Sequence, residues 1–269
     1  MAQRRSFKKV PLFSNFKLKL AELCANDLWS GINYENGKRI SVSDEELLVL
    51  FAEPFYKLVI KPNSKNLIKE QSIRKLIRVA KIKALFRSAN PTNFKKGIVG
   101  IKKNIIPIYK QWKSIKNPPQ PIYYETNAII TLGKDFVKQQ KKVTRNGNFR
   151  VPLASRILFF AIPNMSFFNF SNSLAKKMLF QSRPQAAIPF FMDTLHKGFH
   201  LNSYLKKMKL PPPSFLKPNL YRIIYKSDWW QRRVLDLALL IHFRIFKVRK
   251  ELIKQARNII LSKRKKINY

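Results

Sequence analysis

Acidic side chains are few in this chain of 269 residues: 14 Asp and Glu stand against 54 Lys and Arg, a formal net charge of +40. From Gln71 to Tyr124 there is no acid against thirteen bases, and none occurs between Asp135 and Asp193. There is one cysteine, Cys24, so an intrachain disulfide and a Cys-rich zinc site are both excluded. In "LAELCANDLW" it reads as a small buried apolar residue. Glycine is equally scarce, seven in all, and no phosphate-gripping loop of the Walker or dinucleotide type is present. His196 and His200 stand four apart in "HKGFH", but two ligands do not make a zinc site and Gly198 weakens the helix between them. No Ser-His-Asp or Cys-His spacing and no paired carboxylates occur outside one helix cap. The pattern argues against an enzyme, and no cofactor, metal or small-molecule substrate is expected.

What is present is a core and a strong field. Hydrophobic residues make up 45%, enough to bury an interior, so the chain is not a disordered basic tail. A surface this positive repels itself unless a polyanion neutralises it. Nucleic acid, with one phosphate charge per about 1.7 Å of duplex, is the first candidate, and an anionic membrane the second. Abundant Phe, Ile, Lys and Asn fit an A/T-rich coding sequence such as organelles carry.

The expected fold class is mainly α: a helical body with one β-hairpin arm, proline-rich connectors and basic terminal extensions. Residues 1–20 read as a basic N-terminal arm carrying Arg4, Arg5, Lys8 and Lys9, with Pro11 breaking the helical period a transit peptide would need. No secretory signal is visible. The body spans 21–246. In "SVSDEELLVLF", Ser43 is a candidate N-cap, Glu46 completes a capping box, and Asp44 and Glu45 sit in the first turn. "QSIRKLIRVAKIKALFR" places Ile73, Leu76, Ile77, Ala80 and Ala84 on one helical face and Arg74, Lys75, Arg78 and Lys81 on the other. A face of one sign favours phosphate contact.

"IKNPPQPIYY" and "LPPPSFLKP" read as extended connectors. "KKVTRNGNFRVPL" holds Asn146-Gly147, a short-range hairpin signal, with Phe149 and Val151 after the turn and Pro152 closing it; the arm is placed near 141–153. Lys141, Lys142, Arg145, Asn148, Phe149, Arg150 and Arg156 are its candidate RNA contacts, Phe149 by stacking on an unpaired base. Past Pro218 there is neither Gly nor Pro. Ser227-Asp228 looks like a helix start, and apolar residues from Val234 to Ile259 recur at three- and four-residue steps. One long amphipathic helix is expected, with Arg244, Lys247, Lys250, Lys254 and Arg257 on its other face and a basic extension over 247–269.

Two other readings stay open. "KKGIVGIKKN" contains a GxxG at 97–100 flanked by Lys102 and Lys103, as in a KH domain. Ile157 to Ala175 is an uncharged run of nineteen, nominally long enough to span a bilayer, yet Pro163, Asn164, Asn169, Ser171, Asn172 and Ser173 interrupt it. It reads better as a buried or RNA-facing segment. A third, a degenerate RNA-processing enzyme, would need clustered metal-binding carboxylates.

Five short motifs resemble, in order, the family of the seventh protein of the ribosomal small subunit, in a diverged mitochondrial form. They are "NGKRIS", "NIIPIYKQWKS", "RNGNFRVPL", "SLAKKM" and "RRVLDLALLIHFRIF". The stretch Ile115 to Gln139 intervenes where that family is shorter, and the chain extends beyond about Lys247. The resemblance implies a structural protein of the small-subunit head. It implies ribosomal RNA and neighbouring ribosomal proteins as partners, close to the mRNA and tRNA path. It carries RNA contact to Lys38, Arg39, Arg145, Asn148, Arg150 and Arg156, and matches His242 and Arg244 to the C-terminal motif.

Overall fold

Ser14 starts the packed body. Its backbone is extended and its hydroxyl accepts from the Lys17 N–H at 3.3 Å, capping helix α1 (Asn15–Trp29). Leu20, Ala21, Cys24 and Ala25 recur at helical spacing on its buried face, and Trp29 ends it in the core. Phe13 is buried too, so the body takes in residues assigned from composition to an N-terminal arm.

The computed structural model describes residues 13–40, 42–49, 51–52, 100–115, 121–137, 151–165, 167–179 and 227–267, with Leu210, Pro213, Leu220 and Ile224 between them. These residues are mainly α-helical. A π-helical turn, Ile101–Ile105, runs straight into α2 (Ile106–Ser114), the Ile106 N–H reaching back to the Ile101 carbonyl. Pro107 has no N–H for the Lys103 carbonyl, and a widened register ahead of it accommodates that loss. Then follow α3 (Pro121–Val137), α4 (Val151–Ala161), α5 (Asn172–Leu179), α6 (Trp229–His242) and α7 (Lys250–Ile267).

The capping box is formed as expected. The Ser43 N–H donates to Glu46 Oε2 at 2.8 Å and the Glu46 N–H to Ser43 Oγ at 3.1 Å, opening the helical residues 44–49 and 51–52. Three other expectations change. Pro121 to Tyr124, expected in an extended connector, begin α3: a proline in the first turn loses no helical hydrogen bond and its φ is already set. Val151 and Pro152, expected to close a hairpin strand, begin α4 for the same reason. No strand occurs among the described residues, whose one ladder contact is the antiparallel bridge between Ile32 and Arg39; residues 141–150 lie outside them.

The single long C-terminal helix is instead α6 and α7, parted at 243–249. Arg244 takes the left-handed conformation, φ 52°. Its N–H bonds the Ile241 carbonyl at 3.1 Å, and the Ile245 N–H bonds Leu240 at 2.9 Å, which together make a Schellman ending. α6 is buried on every side and packs along α1, which also carries α7. The Trp29 ring meets those of Trp229 and Trp230 edge-on, at 6.2 and 6.0 Å between centroids. Leu252 and Ala256 seat α7 in the core, so the supposed extension is part of the body from its first turns.

The uncharged run Ile157–Ala175 is not one helix. α4 stops at Ala161, and 162–165 and 167–171 are irregular chain, largely buried, before α5. No helix among the described residues is long and apolar enough to cross a membrane. Buried irregular backbone needs side-chain partners, and it has them. The Phe168 N–H donates to Glu125 Oε1 at 2.7 Å and the Phe170 N–H to Ser155 Oγ at 2.9 Å. Arg232, itself buried, donates to the carbonyls of Phe167 (3.0 Å) and Pro163. Burial lowers its guanidinium to about 10, with Asp228 and Glu125 opposing, so it stays charged at neutral pH.

Beside it Arg233 grips Asp44 bidentately, Nε to Oδ2 at 2.6 Å and Nη2 to Oδ1 at 3.2 Å, and reaches Asp236 Oδ2 at 3.1 Å. Asp236 also accepts from Asn169 Nδ2 at 3.0 Å, tying α6 to the irregular segment. Burial works against the Arg233 charge, but the two carboxylates outweigh it and hold its pKa up. Arg233→Leu removes the guanidinium that both buried carboxylates bond, leaving Asp236 its Asn169 contact. The expected loss is about 3–5 kcal/mol of unfolding free energy in urea denaturation, and a loss below about 1 kcal/mol would remove this cluster from the account of stability.

Candidate nucleic-acid interface

The residues singled out from the sequence fall into three groups. Arg4, Arg5, Lys8, Lys9, Arg74, Lys75, Arg78, Lys141, Lys142, Arg145, Asn148, Phe149 and Arg150 lie outside the described residues, as do His196, His200 and three of the four GxxG positions. Gly100, the fourth, is buried and helical at the start of the π-helical turn. Lys102 lies in that turn and Lys103 is exposed beside it. Arg156 does not stand free. It is half-buried on α4, where burial and the neighbouring Arg233 lower its pKa while Asp236 and Asp44 counter them. Its surroundings make it part of the interior ion cluster.

The remaining three, Lys38, Arg39 and Arg244, are exposed. Lys38 and Arg39 sit on a turn that the sequence shapes closely. Gly31 and Gly37 adopt positive φ, 75° and 72°, which glycine tolerates without strain. Asn33 Oδ1 accepts from the Glu35 N–H at 2.7 Å, and Asn36 Oδ1 from the Lys38 N–H at 3.0 Å. The turn closes through Asn33 N–H to the Lys38 carbonyl (2.8 Å) and Ile40 N–H to the Gly31 carbonyl (2.8 Å).

This turn is docked on the start of α7. Arg249 is the latch: its N–H donates to the Tyr34 carbonyl at 3.1 Å and its Nη1 to the Asn33 carbonyl at 3.2 Å. The same Nη1 lies 2.8 Å from Asp27 Oδ2 on α1. Burial raises the Asp27 carboxyl while Arg249 opposes the rise. The Tyr34 ring packs against Phe246, 4.4 Å between centroids. A Cβ at residue 37 would only touch the latch, 3.5 Å from Arg249 Nη1, so it is the positive φ rather than crowding that calls for glycine there. Sequence reasoning missed Arg249 because its partners are 216 and 222 positions away, and missed the break in the helix that lets it turn inward.

On α7, Lys250, Lys254 and Arg257 share one exposed stripe, directly opposite Leu252, Ala256 and Ile259, which face the core. No ion pair among the described residues involves Lys38, Arg39, Lys250, Lys254 or Arg257. Lys247 is exposed in the link before the helix. The arrangement offers cationic donors and no nucleophile, and it suits phosphate. No protein-family model matches the chain, and neither does any curated protein or solved structure.

His242, matched to the family motif with Arg244, has a packing role. Its Nδ1 accepts from Lys17 Nζ at 3.0 Å and its ring meets Phe13 edge-on at 5.7 Å. Burial, then Lys17, lower its pKa. A base whose folded pKa lies below its free value of about 6.5 contributes stability that is complete above that value and is lost on acidification through the folded pKa. Wild-type stability should therefore fall more steeply between about pH 7 and about pH 5 than that of His242→Gln. Parallel profiles would remove His242 from the pH response. Arg244→Gly should hold the unfolding free energy or raise it by up to about 1 kcal/mol, whereas Arg244→Val should lower it by about 1 kcal/mol or more, because only the first relieves the left-handed backbone. Equal urea midpoints for the two variants would refute that.

Proposed function

We propose that the protein is a structural, non-catalytic RNA-binding component of the small subunit of a mitochondrial ribosome, holding ribosomal RNA of the subunit head. The observation that supports this reading is a set of exposed bases without an ion pair among the described residues, Lys38 and Arg39 on the turn and Lys250, Lys254 and Arg257 on the helix to which Arg249 ties that turn. A net charge of +40 on a chain with a full apolar core asks for a polyanionic partner. The ordered series of five motifs adds the small-subunit identity, and with it ribosomal-protein neighbours and proximity to mRNA and tRNA.

Residues 141–150, whose composition offers Arg145, Asn148, Phe149 and Arg150, form a second proposed contact. The uncharged run 157–175 supports RNA binding over membrane insertion in one respect: its aromatic residues Phe159, Phe160, Phe167, Phe168 and Phe170 are buried in the protein's own core.

Two measurements test the reading. In sucrose gradients of lysed mitochondria the protein should sediment with the small subunit and leave membranes on carbonate washing. Retention in the carbonate-washed pellet would replace this reading with a membrane protein. Purified protein should bind structured RNA with log K falling linearly against log salt, by about 0.7 to 0.9 per phosphate contacted. A flat salt response would be incompatible with phosphate binding.

A further inference from the structure

Helix α7 carries its exposed charges in a way that selects among nucleic acids. Lys250, Lys254 and Arg257 lie along one straight face, and from the first to the last the helix advances about 10 Å at roughly 1.5 Å per residue. Three charges spread over that length can reach successive phosphates of one duplex strand. Beside the stripe are the exposed Gln255, Asn258 and Ser262, uncharged hydrogen-bonding groups suited to sugar hydroxyls, and a single acid, Glu251, in the first turn. No aromatic residue lies on the exposed face from Lys250 to Ser262, so the stripe offers no platform on which single-stranded bases could stack. A rigid, regularly charged rod without aromatics matches a regular backbone.

The turn that carries Lys38 and Arg39 is fixed to the residue preceding that stripe. Arg249 immediately precedes Lys250, and its guanidinium is held between Asp27 and the Asn33 carbonyl. The two basic segments are thereby tied to each other through Arg249. We propose that Lys38, Arg39, Lys250, Lys254 and Arg257 form a single site for the phosphate backbone of double-stranded RNA, read without base specificity, and that Arg249 is its positioning residue. This rests on the RNA-binding reading above and adds the class of RNA and the place where it binds.

The test uses the full-length protein with a labelled RNA duplex of mixed sequence and a single-stranded polyuridine of equal length. Three variants are compared: Lys250→Gln/Lys254→Gln/Arg257→Gln, Lys38→Gln/Arg39→Gln, and Arg249→Lys. The first two replace exposed residues and should fold as wild type by thermal melting. Duplex binding should be one to one. The helix variant should lose at least roughly tenfold in duplex affinity, with a salt slope shallower by about three, and the turn variant a slope shallower by about two. Polyuridine affinity should change far less.

Arg249→Lys keeps the charge but loses the planar fork. It should weaken duplex binding while remaining folded at the assay temperature, an effect that total charge cannot produce. Wild-type binding of RNA with a steep salt slope, combined with unchanged duplex binding by the helix variant, overturns this proposal alone. Two duplexes bound per protein, or equal losses on duplex and polyuridine, also overturn it. No RNA binding by wild type removes the functional reading and this proposal together. Loss of binding to phosphatidylserine vesicles, with duplex binding intact, would assign the surface to a membrane instead.

Discussion

Arg233 with its two aspartates is the contact on which most of the described structure converges. Asp44 comes from the capped helix that follows the basic turn, Asp236 from α6 itself, and Asn169 links Asp236 to the irregular chain inside the core. A buried ion pair of this kind adds less net stability than its Coulomb energy implies, because both charges leave water. Its geometry is nevertheless demanding. One guanidinium with a bidentate partner on one side and a second carboxylate on the other restricts how α6 sits against the helical residues that begin at Asp44. Arg232, on the adjacent position, fixes the irregular segment by a different route, donating to the carbonyls of Pro163 and Phe167.

The scarcity of acids gives this arrangement a second meaning. Among 14 acids in the chain, Asp44, Glu125 and Asp236 are buried and Asp27 is largely covered by Arg249. Each holds an element in place: the capped helix, the Phe168 amide, the aromatic-rich segment and the basic turn. Acids used inside are acids withdrawn from the surface. Among the described residues the exterior is therefore more positive than the composition alone states, and α7 and the turn keep one exposed acid each, Glu251 and Glu35, among their bases.

Much of the local chemistry was legible in the sequence. Ser43 and Glu46 form the capping box, Cys24 is buried, and α6 begins one residue past Asp228. These are short-range signals with one dominant cause. The failures share a cause as well. Apolar residues continue at helical spacing straight through 243–249, so periodicity could not register a helix end made by a left-handed arginine rather than glycine. Pro121 and Pro152 marked boundaries correctly but from the wrong side, because proline is as compatible with a helix start as with extended chain. The basic faces could be read from charge. Their assembly could not, since it depends on Arg249 meeting Asp27 and Asn33 across more than two hundred residues.

Cys24 sits in the seam between α1 and its neighbours with no exposed surface, and burial, followed by the charge of Asp27, pushes its thiol up to about 12. Only the thiolate reacts with disulfide and alkylating reagents. In the folded protein that species is both negligible in amount and sealed from solvent, so modification requires the helices around it to part. The chain thus contains its own single-site clock for opening. The rate at which a thiol reagent consumes this one cysteine reports how often α1 separates from the core, and a polyanion that steadies the basic surface would be read as a slowing of that clock.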